Sequence, residues 1–377
     1  MLTLDELLAP VTADAFHADY DDRKPLYIPA DAAAGKRALL DWAGFNALLD
    51  QSSIWTAQTL KMVYNGDPID PSAYCSEVRS QSGASLRPAP AKVQTLLANG
   101  ASLIAGDVQG LTPELRAISR TLSETFAGLV GANVYCSFGG VQAFDTHFDL
   151  HHVFAVQVEG QKVWRLYQNR ANAPMTLPED SDEARRWFAR TRGALMQEVV
   201  MNPGDVLYLP RGWYHDALAT EGASLHVTFS VTPLYGRVLF GLLESAAMQD
   251  PAFRAWLRPS GEDGGRPLRQ QLADLGRRLA ALTERPEFVD EIAMSQERLV
   301  PRDTPYALPT RPALTLYRPT GLMPPRIAGP GAIAIDWALS QPQLALEDML
   351  AQFDFIPPDT IREAVEQAVR AGALKRL

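Results

Sequence analysis

A chain of 377 residues with 46% hydrophobic and 21% charged side chains has ample apolar surface for a sizeable core, and its length suits two or three globular units. The net charge of -9 argues against general nucleic-acid binding through phosphates, which needs a basic face, and mildly favours a basic partner. Cys75 and Cys136 are too few for a disulfide framework and lack the paired spacing of a zinc site, which fits a reducing cytoplasm.

The opening "MLTLDELLAP" is acidic where a signal peptide needs a basic start and a long apolar run, and no segment approaches a membrane-spanning length. A soluble, cytoplasmic protein is therefore expected. Up to about Val231 short β-rich runs recur between turn signals: "KPLYIP", "SLIAGDV", "ANVYCSF", "VFAVQVEG", "KVWRLYQ", "DVLYLP" and "SLHVTFSV". That is the pattern of a β-barrel or sandwich rather than of βαβ units. Helical spacing marks two insertions, "TPELRAISRTLSETFAGLV" and "DSDEARRWFART", the second placed to cover the barrel mouth.

After Pro233 the pattern turns helical, with "YGRVLFGLLESAAM" and then a one-sided stripe of Leu268, Leu272, Leu275, Leu279 and Leu282. Such a stripe either packs on its own domain or meets a second copy of the chain. From about Pro301 a Pro-rich stretch leads to "LALEDMLAQF" and "PDTIREAVEQAVRAGALKRL", read as two amphipathic helices of a small terminal unit. Residues 301–377 hold eight basic and eight acidic side chains, so a winged-helix-like unit there has no basic surface for DNA. The expected divisions are a barrel over 1–232, a helical region over 233–300 and the terminal unit over 301–377.

The chemistry concentrates in "THFDLHHVF", residues 146–154, which holds three of the six histidines. His147 and Asp149 are two apart, so on an extended chain both point to one side, as two metal ligands from one strand edge must. Downstream, "PGDVLYLPRGWYH" matches the second motif of cupin barrels, whose Gly and Pro residues shape a turn that aims a histidine, here His215, inward. Two imidazoles and a carboxylate form the facial set that holds iron(II) and leaves the opposite positions open. Alone, the His-x-Asp pair is a weak signal; joined to the second motif it is a strong one. On the same extended chain His151 would face inward and His152 outward. Zinc hydrolysis is disfavoured, because no helical His-Glu motif supplies a glutamate base.

In "EGQKVWRLY" Lys162 stands in an otherwise apolar strand. A buried ammonium there would demand an anionic partner, and a co-substrate carboxylate would serve; an exposed lysine at a strand start reads equally well on local sequence. Trp213 and Tyr214 read as packing residues in preference to a substrate mouth.

The run "NVYCSFGGVQAFDTHFDLHHVFAVQVEGQKVWRLYQ", followed by "MNPGDVLYLPRGWYHDA" and "SLHVTFSV", resembles the Jumonji-C (JmjC) oxygenases of the cupin-4 branch, the ribosomal oxygenase group. The resemblance covers roughly residues 20–232, and the three-part layout also matches that group. It implies an α+β fold: a double-stranded β-helix of the cupin or jelly-roll type with helical insertions, then a helical dimerisation region and a winged-helix-like C-terminal unit. It implies His147, Asp149 and His215 as iron ligands, Lys162 as binder of the distal carboxylate of 2-oxoglutarate, and Tyr135, Asn133 and Thr228 as further lining of the co-substrate site. It also implies a homodimer. The sequence departs from the pattern at His152, where relatives often carry an acidic residue before "VF"; if that group attracts a cationic substrate residue, this chain lacks it.

The expected function is thus an iron(II) and 2-oxoglutarate dependent hydroxylase of a side chain in a protein or peptide, a basic or ribosomal one among the candidates, with no DNA or membrane partner. Two alternatives stay open: a small-molecule or RNA oxygenase with the same iron centre, and a non-catalytic metal-binding cupin. Lys162 separates the last from the others, because a barrel that only binds metal has no use for a buried cation.

Overall fold

Strict alternation along three strands decides which side chains meet. In β7 (Gly128–Phe138) the residues Val130, Ala132, Val134 and Cys136 face an apolar core, and in β12 (Trp213–Pro233) so do Leu225, Val227, Phe229 and Val231. The intervening Asn133 and Tyr135 of β7 and His226, Thr228 and Ser230 of β12 face the other way, into a cavity. The third strand, β9 (His152–Arg170), sends Phe154 and Val156 to the first core and Val153 and Ala155 to a second. Each large apolar side chain so covered contributes roughly 1.5–3 kcal/mol of burial.

The computed structural model describes residues 3–30, 38–80, 83–138, 142–179, 181–301, 314–324 and 326–377. Among these residues ten strands form one sheet, in the order β1 (Leu26–Ile28), β11 (Val206–Leu209), β9, β12, β7, β6 (Ser102–Ala105), β2 (Leu60–Tyr64) and β3 (Asp67–Pro68), with β10 (Leu195–Met201) on β9 and β8 (Gln142–His147) on β12. A separate hairpin joins β4 (Cys75–Ser80) to β5 (Gly83–Pro88). All these pairings are antiparallel, as the expected jelly-roll-like sandwich requires.

β9 and β12 are long because each serves both layers. Residues 153–159 of β9 pair with 225–230 of β12, and 162–166 pair with 215–219, with the register broken between the two segments. Gly160 sits at the break with φ +63, and a Cβ there would collide with the Ala223 carbonyl. Only glycine satisfies both conditions at the crossing. The inner core between the layers holds Val153, Ala155, Trp164, Leu166, Val199, Met201, Leu207 and Leu209.

Helices cover the outer face of the larger layer. Leu4–Leu8, Ala13–Asp19 and Pro113–Phe126 bury Leu7, Leu8, Phe16, Leu115, Ile118 and Leu122 against it. The helix expected over "TPELRAISRTLSETFAGLV" stops at Phe126, where Ala127 turns left-handed and the remainder becomes the start of β7. Its C-terminal "GLV" alternates as a strand does, and tertiary pairing with β12 takes it.

The chain divides into two compact units, 1–302 and 303–377. The helices Val238–Ala247, Pro251–Arg254, Arg266–Thr283 and Pro286–Glu297 group with the first. The leucine stripe is covered unevenly: Leu279 and Leu282 pack with Ala247 and Phe288, whereas Leu272 is 50% exposed. In the second unit β13 (Leu316–Pro319) lies between β14 (Leu344–Ala345) and β15 (Leu374–Arg376). Helices Gly331–Ser340, Leu346–Gln352 and Pro358–Arg370 pack around Ile335, Met349, Ile361 and Val365. The last helix is shorter than its sequence run, because the Gly372 and Ala373 amides close its final carbonyls and "LKR" joins the sheet. Most of the Pro-rich stretch after Pro301, residues 302–313, lies outside the described residues. Among the described residues no helix is long and apolar enough to cross a membrane.

The crossing at Gly160 generates a stability prediction. Gly160→Ala should destabilise the protein by at least about 1–3 kcal/mol from the backbone conformation alone. Urea unfolding followed by circular dichroism should show a lower midpoint; an unchanged midpoint would mean that the crossing does not need glycine.

Candidate metal centre

The two sequence motifs meet where β8 ends and β12 begins. His147 and His215 are register partners on these strands, and their ring centroids are 4.6 Å apart. Asp149 follows in the loop between β8 and β9, where the Gly212 amide donates to the Asp149 carbonyl at 2.9 Å and so joins the motifs through the backbone. Gly212 has φ +84 and no room for a Cβ beside the Ala171 carbonyl, which explains the glycine in "RGWYH". The aspartate of "PGD" holds the other end of that motif. Asp205 is buried and accepts from the Asn202 amide at 2.7 Å and the Tyr27 hydroxyl at 2.8 Å.

One potential ligand atom from each of His147, Asp149 and His215 lies within 4.8 Å of the others, a grouping suited to a single ion. The His147 Nδ1 lies 2.8 Å from the Asp145 carbonyl and the His215 Nδ1 2.9 Å from the Trp213 carbonyl. A carbonyl can only accept, so both Nδ1 atoms carry the proton and both Nε2 lone pairs remain for a metal. Burial, reinforced by His147, pushes His215 down to about 4, so at neutral pH it is an uncharged ligand. Burial pushes the Asp149 carboxyl up, but His147, His215 and His151 outweigh it and hold the group below its ordinary value as an anion.

Behind these ligands, on the opposite face of the strands, a buried polar network ties β8, β9 and β12 together. Thr146 Oγ1 donates to Asp216 Oδ2 at 2.8 Å and the Tyr167 hydroxyl donates to the same oxygen at 2.6 Å. Arg192 donates to Thr146 Oγ1 and to the Tyr167 hydroxyl, both at 2.8 Å. The insertion helix Asp182–Thr191 adds Ala184 and Phe188, which pack with Phe148 and Tyr214. Tyr214 is therefore a packing residue, as expected, and Phe148, which lies between His147 and Asp149 in sequence, is held by the Trp187, Phe188 and Tyr214 rings.

In front of the ligands lies a cavity of about 310 Å³, lined among others by Asn133, Tyr135, Lys162, Trp164, His226 and Thr228 together with the three candidate ligands. All four expected co-substrate residues are thus brought to one space. Lys162 is 2% exposed, and its Nζ donates to the Ser137 hydroxyl at 3.2 Å. Among the described residues it makes no ion pair with a carboxylate. Burial pushes it down to about 8. Burial likewise pushes Tyr135 up to about 12, with the Asp149 charge adding to the effect.

His151 reaches the same cavity, its Nε2 3.8 Å from Asp149 Oδ1. It gets there through a bend, since the chain between Phe148 and His151 is not extended and simple alternation does not apply. His152 faces away: it is buried with Phe126 and Tyr208, and its Nδ1 lies 3.2 Å from the Tyr208 hydroxyl. Residues not singled out from sequence are His226, Trp164 and Ser137. Two-residue spacing from Thr228 and from Tyr135 is the signal that marks His226 and Ser137.

The JmjC domain family model matches residues 109–238. The chain is 31% identical over 231 residues to the bifunctional lysine-specific demethylase and histidyl-hydroxylase NO66 of Drosophila persimilis, covering 60% of this chain and 31% of the relative. It is 31% identical over 225 residues to ribosomal oxygenase 1 of Gallus gallus, covering 59% of this chain and 35% of the relative. The chain thus spans about a third of the length of these curated relatives. The structure of ycfD from Escherichia coli is similar in fold with a TM-score of 0.51, at 14% identity, over 98% of this chain and 99% of that one.

His215 supplies the test of the centre. His215→Ala should abolish stoichiometric binding of cobalt(II), followed by its visible absorption, while thermal unfolding of the metal-free protein stays close to that of the wild type. Undiminished cobalt binding would remove His215 from the ligand set.

Proposed function

We propose that this JmjC-domain protein is an iron(II) and 2-oxoglutarate dependent oxygenase that hydroxylates an amino-acid side chain in a protein or peptide. The observation that carries the reading is the convergence, in one cavity, of a two-histidine, one-carboxylate set with a buried ammonium that has no carboxylate partner among the described residues. The set fits iron(II), and Lys162 fits the distal carboxylate of a dicarboxylic co-substrate. A cupin that only held a metal would bury this cation at a cost of several kcal/mol without return.

When bound, iron(II) and 2-oxoglutarate supply the oxidation of a C–H bond to an alcohol by dioxygen, with the co-substrate converted to succinate and carbon dioxide. The chain's own residues do the rest. His147, Asp149 and His215 would hold the ion, contributing one carboxylate charge and two imidazole nitrogens. Lys162, Tyr135, Asn133 and Thr228 orient the co-substrate, and the apolar walls of Val153 and Trp164 exclude water. A wider groove of about 780 Å³, lined by Leu150, Met175, Arg211, Tyr235 and Phe240, shares His151 with the metal cavity and is the proposed path for the substrate. The names of the relatives support a protein substrate, ribosomal proteins among them. Among the described residues of the terminal unit, three helices and a small sheet support a winged-helix-like reading. Exposed Leu272, Phe240 and Trp256, the last 96% exposed, support a homodimer through the helical region.

Lys162 gives a double test. Its folded value lies below its ordinary one, so burying the charge destabilises the free fold below about pH 8 and that cost is released as pH rises towards 10.5. Binding of 2-oxoglutarate needs the charged form, so affinity should fall above about pH 8, by roughly tenfold per pH unit. Lys162→Met should weaken binding at pH 7 by about ten- to a hundred-fold and abolish this pH dependence. Anaerobic titration into manganese-loaded protein measures both; unchanged affinity in the Met variant would reduce Lys162 to a structural lysine.

The dimer is tested separately. Leu272→Arg should move the mass by light scattering from that of two chains to that of one, and a wild type already monomeric at working concentration would dispose of it.

A further inference from the structure

One buried group in the cavity has no task in the scheme above. His226 lies on β12 directly opposite Tyr135 of β7, and the two rings stack at 4.8 Å with planes 6° apart. The Trp164 ring meets the imidazole edge-on at 5.7 Å. The ring is therefore held from two sides, yet its Nδ1 is buried without a hydrogen-bond partner. Native interiors rarely leave such an atom orphaned, and a phenylalanine would fill the same aromatic slot without the penalty. His226 lines the same cavity as Lys162. Burial and the neighbouring ammonium keep it well below its ordinary value, so it is neutral.

We propose that His226 donates a hydrogen bond from Nδ1 to the distal carboxylate held by Lys162, and so helps to select a five-carbon dicarboxylate as co-substrate. The inference rests on the reading of this cavity as the 2-oxoglutarate site. The charge balance fits. Lys162 supplies one positive charge against one carboxylate, and a neutral imidazole adds a directed donor without a second cation to desolvate. The Tyr135 stack and the Trp164 contact fix the ring beforehand, so little rotamer freedom is lost when the ligand arrives.

The test compares two ligands that share the keto-acid end. Full-length protein loaded with manganese(II) is titrated anaerobically with 2-oxoglutarate and with 2-oxopentanoate, which carries a methyl in place of the distal carboxylate. His226→Phe should weaken 2-oxoglutarate by about ten- to a hundred-fold and leave 2-oxopentanoate unchanged. His226→Asn, whose amide nitrogen falls near the Nδ1 position, should recover most of the loss. Equal weakening of both ligands, or no weakening while the wild type binds 2-oxoglutarate, overturns the inference alone. A wild type that binds no 2-oxoglutarate overturns the underlying reading with it. Should the Phe variant not fold, nitrogen-15 NMR of the wild type decides: the His226 Nδ1–H resonance should shift on adding 2-oxoglutarate and not on adding 2-oxopentanoate, and a resonance indifferent to both overturns the inference.

Discussion

The pairing of β9 with β12 in two registers, either side of Gly160, is the constraint on which the rest of the molecule depends. Because the same two strands belong to both layers, the inner face of one layer is brought over the inner face of the other at a fixed spacing. Tyr135, His226 and Thr228 come from the layer built on residues 225–230, and His215, Trp164 and Lys162 from the segment beyond the crossing. A register slip of one residue would exchange every cavity side chain for a core one. The apolar residues of the outer face therefore hold the polar ones of the inner face in place: Val227 and Phe229 can be buried under helices only if His226, Thr228 and Ser230 point into the sandwich.

Electrostatics then divides the polar interior into two ends. At one, the Asp149 anion stands among imidazoles whose outer nitrogens are committed to backbone carbonyls, so the remaining lone pairs are turned to a common point. At the other, the Lys162 cation is supported by Ser137, which also meets Ser102 at 3.1 Å. Stray charge is costly at low dielectric, so a cavity with a cation at one end and an anion among imidazoles at the other is prepared for ligands that complete each end. The Asp216, Thr146, Tyr167 and Arg192 network on the reverse face is buried except at Arg192, and it ties together β8, β9 and β12, the strands on either side of the ligands.

Local patterns carried much of this. Period-two alternation in "NVYCSF" and "SLHVTFSV" is a strand signal wherever one face is buried, and the glycines of the second motif announce a turn by their conformational needs. His147, Asp149 and His215 were legible because each motif is short and rigid. The misreadings arose where the outcome is not local. "GLV" after Phe126 continued a helical run in sequence and became a strand through pairing with β12. "LKR" at the end did the same with β13, and "GAIAIDWALS" formed a helix whose burial against Ile361 and Val365 no local pattern announced.

The sequence by itself determined the chemical inventory and the faces: which strands alternate, where a turn needs glycine, and that two imidazoles, a carboxylate and a lysine sit on strand-like segments. Only the tertiary structure decided that these groups share one cavity, that Lys162 is buried rather than exposed, that His151 turns towards Asp149 while His152 turns away, and that His226 is stacked and orphaned beside them. The physical reason is that burial and electrostatic environment are properties of neighbours distant in sequence. A strand's pattern fixes which way a side chain points, but what it points at depends on the register in which the long strands pair across Gly160.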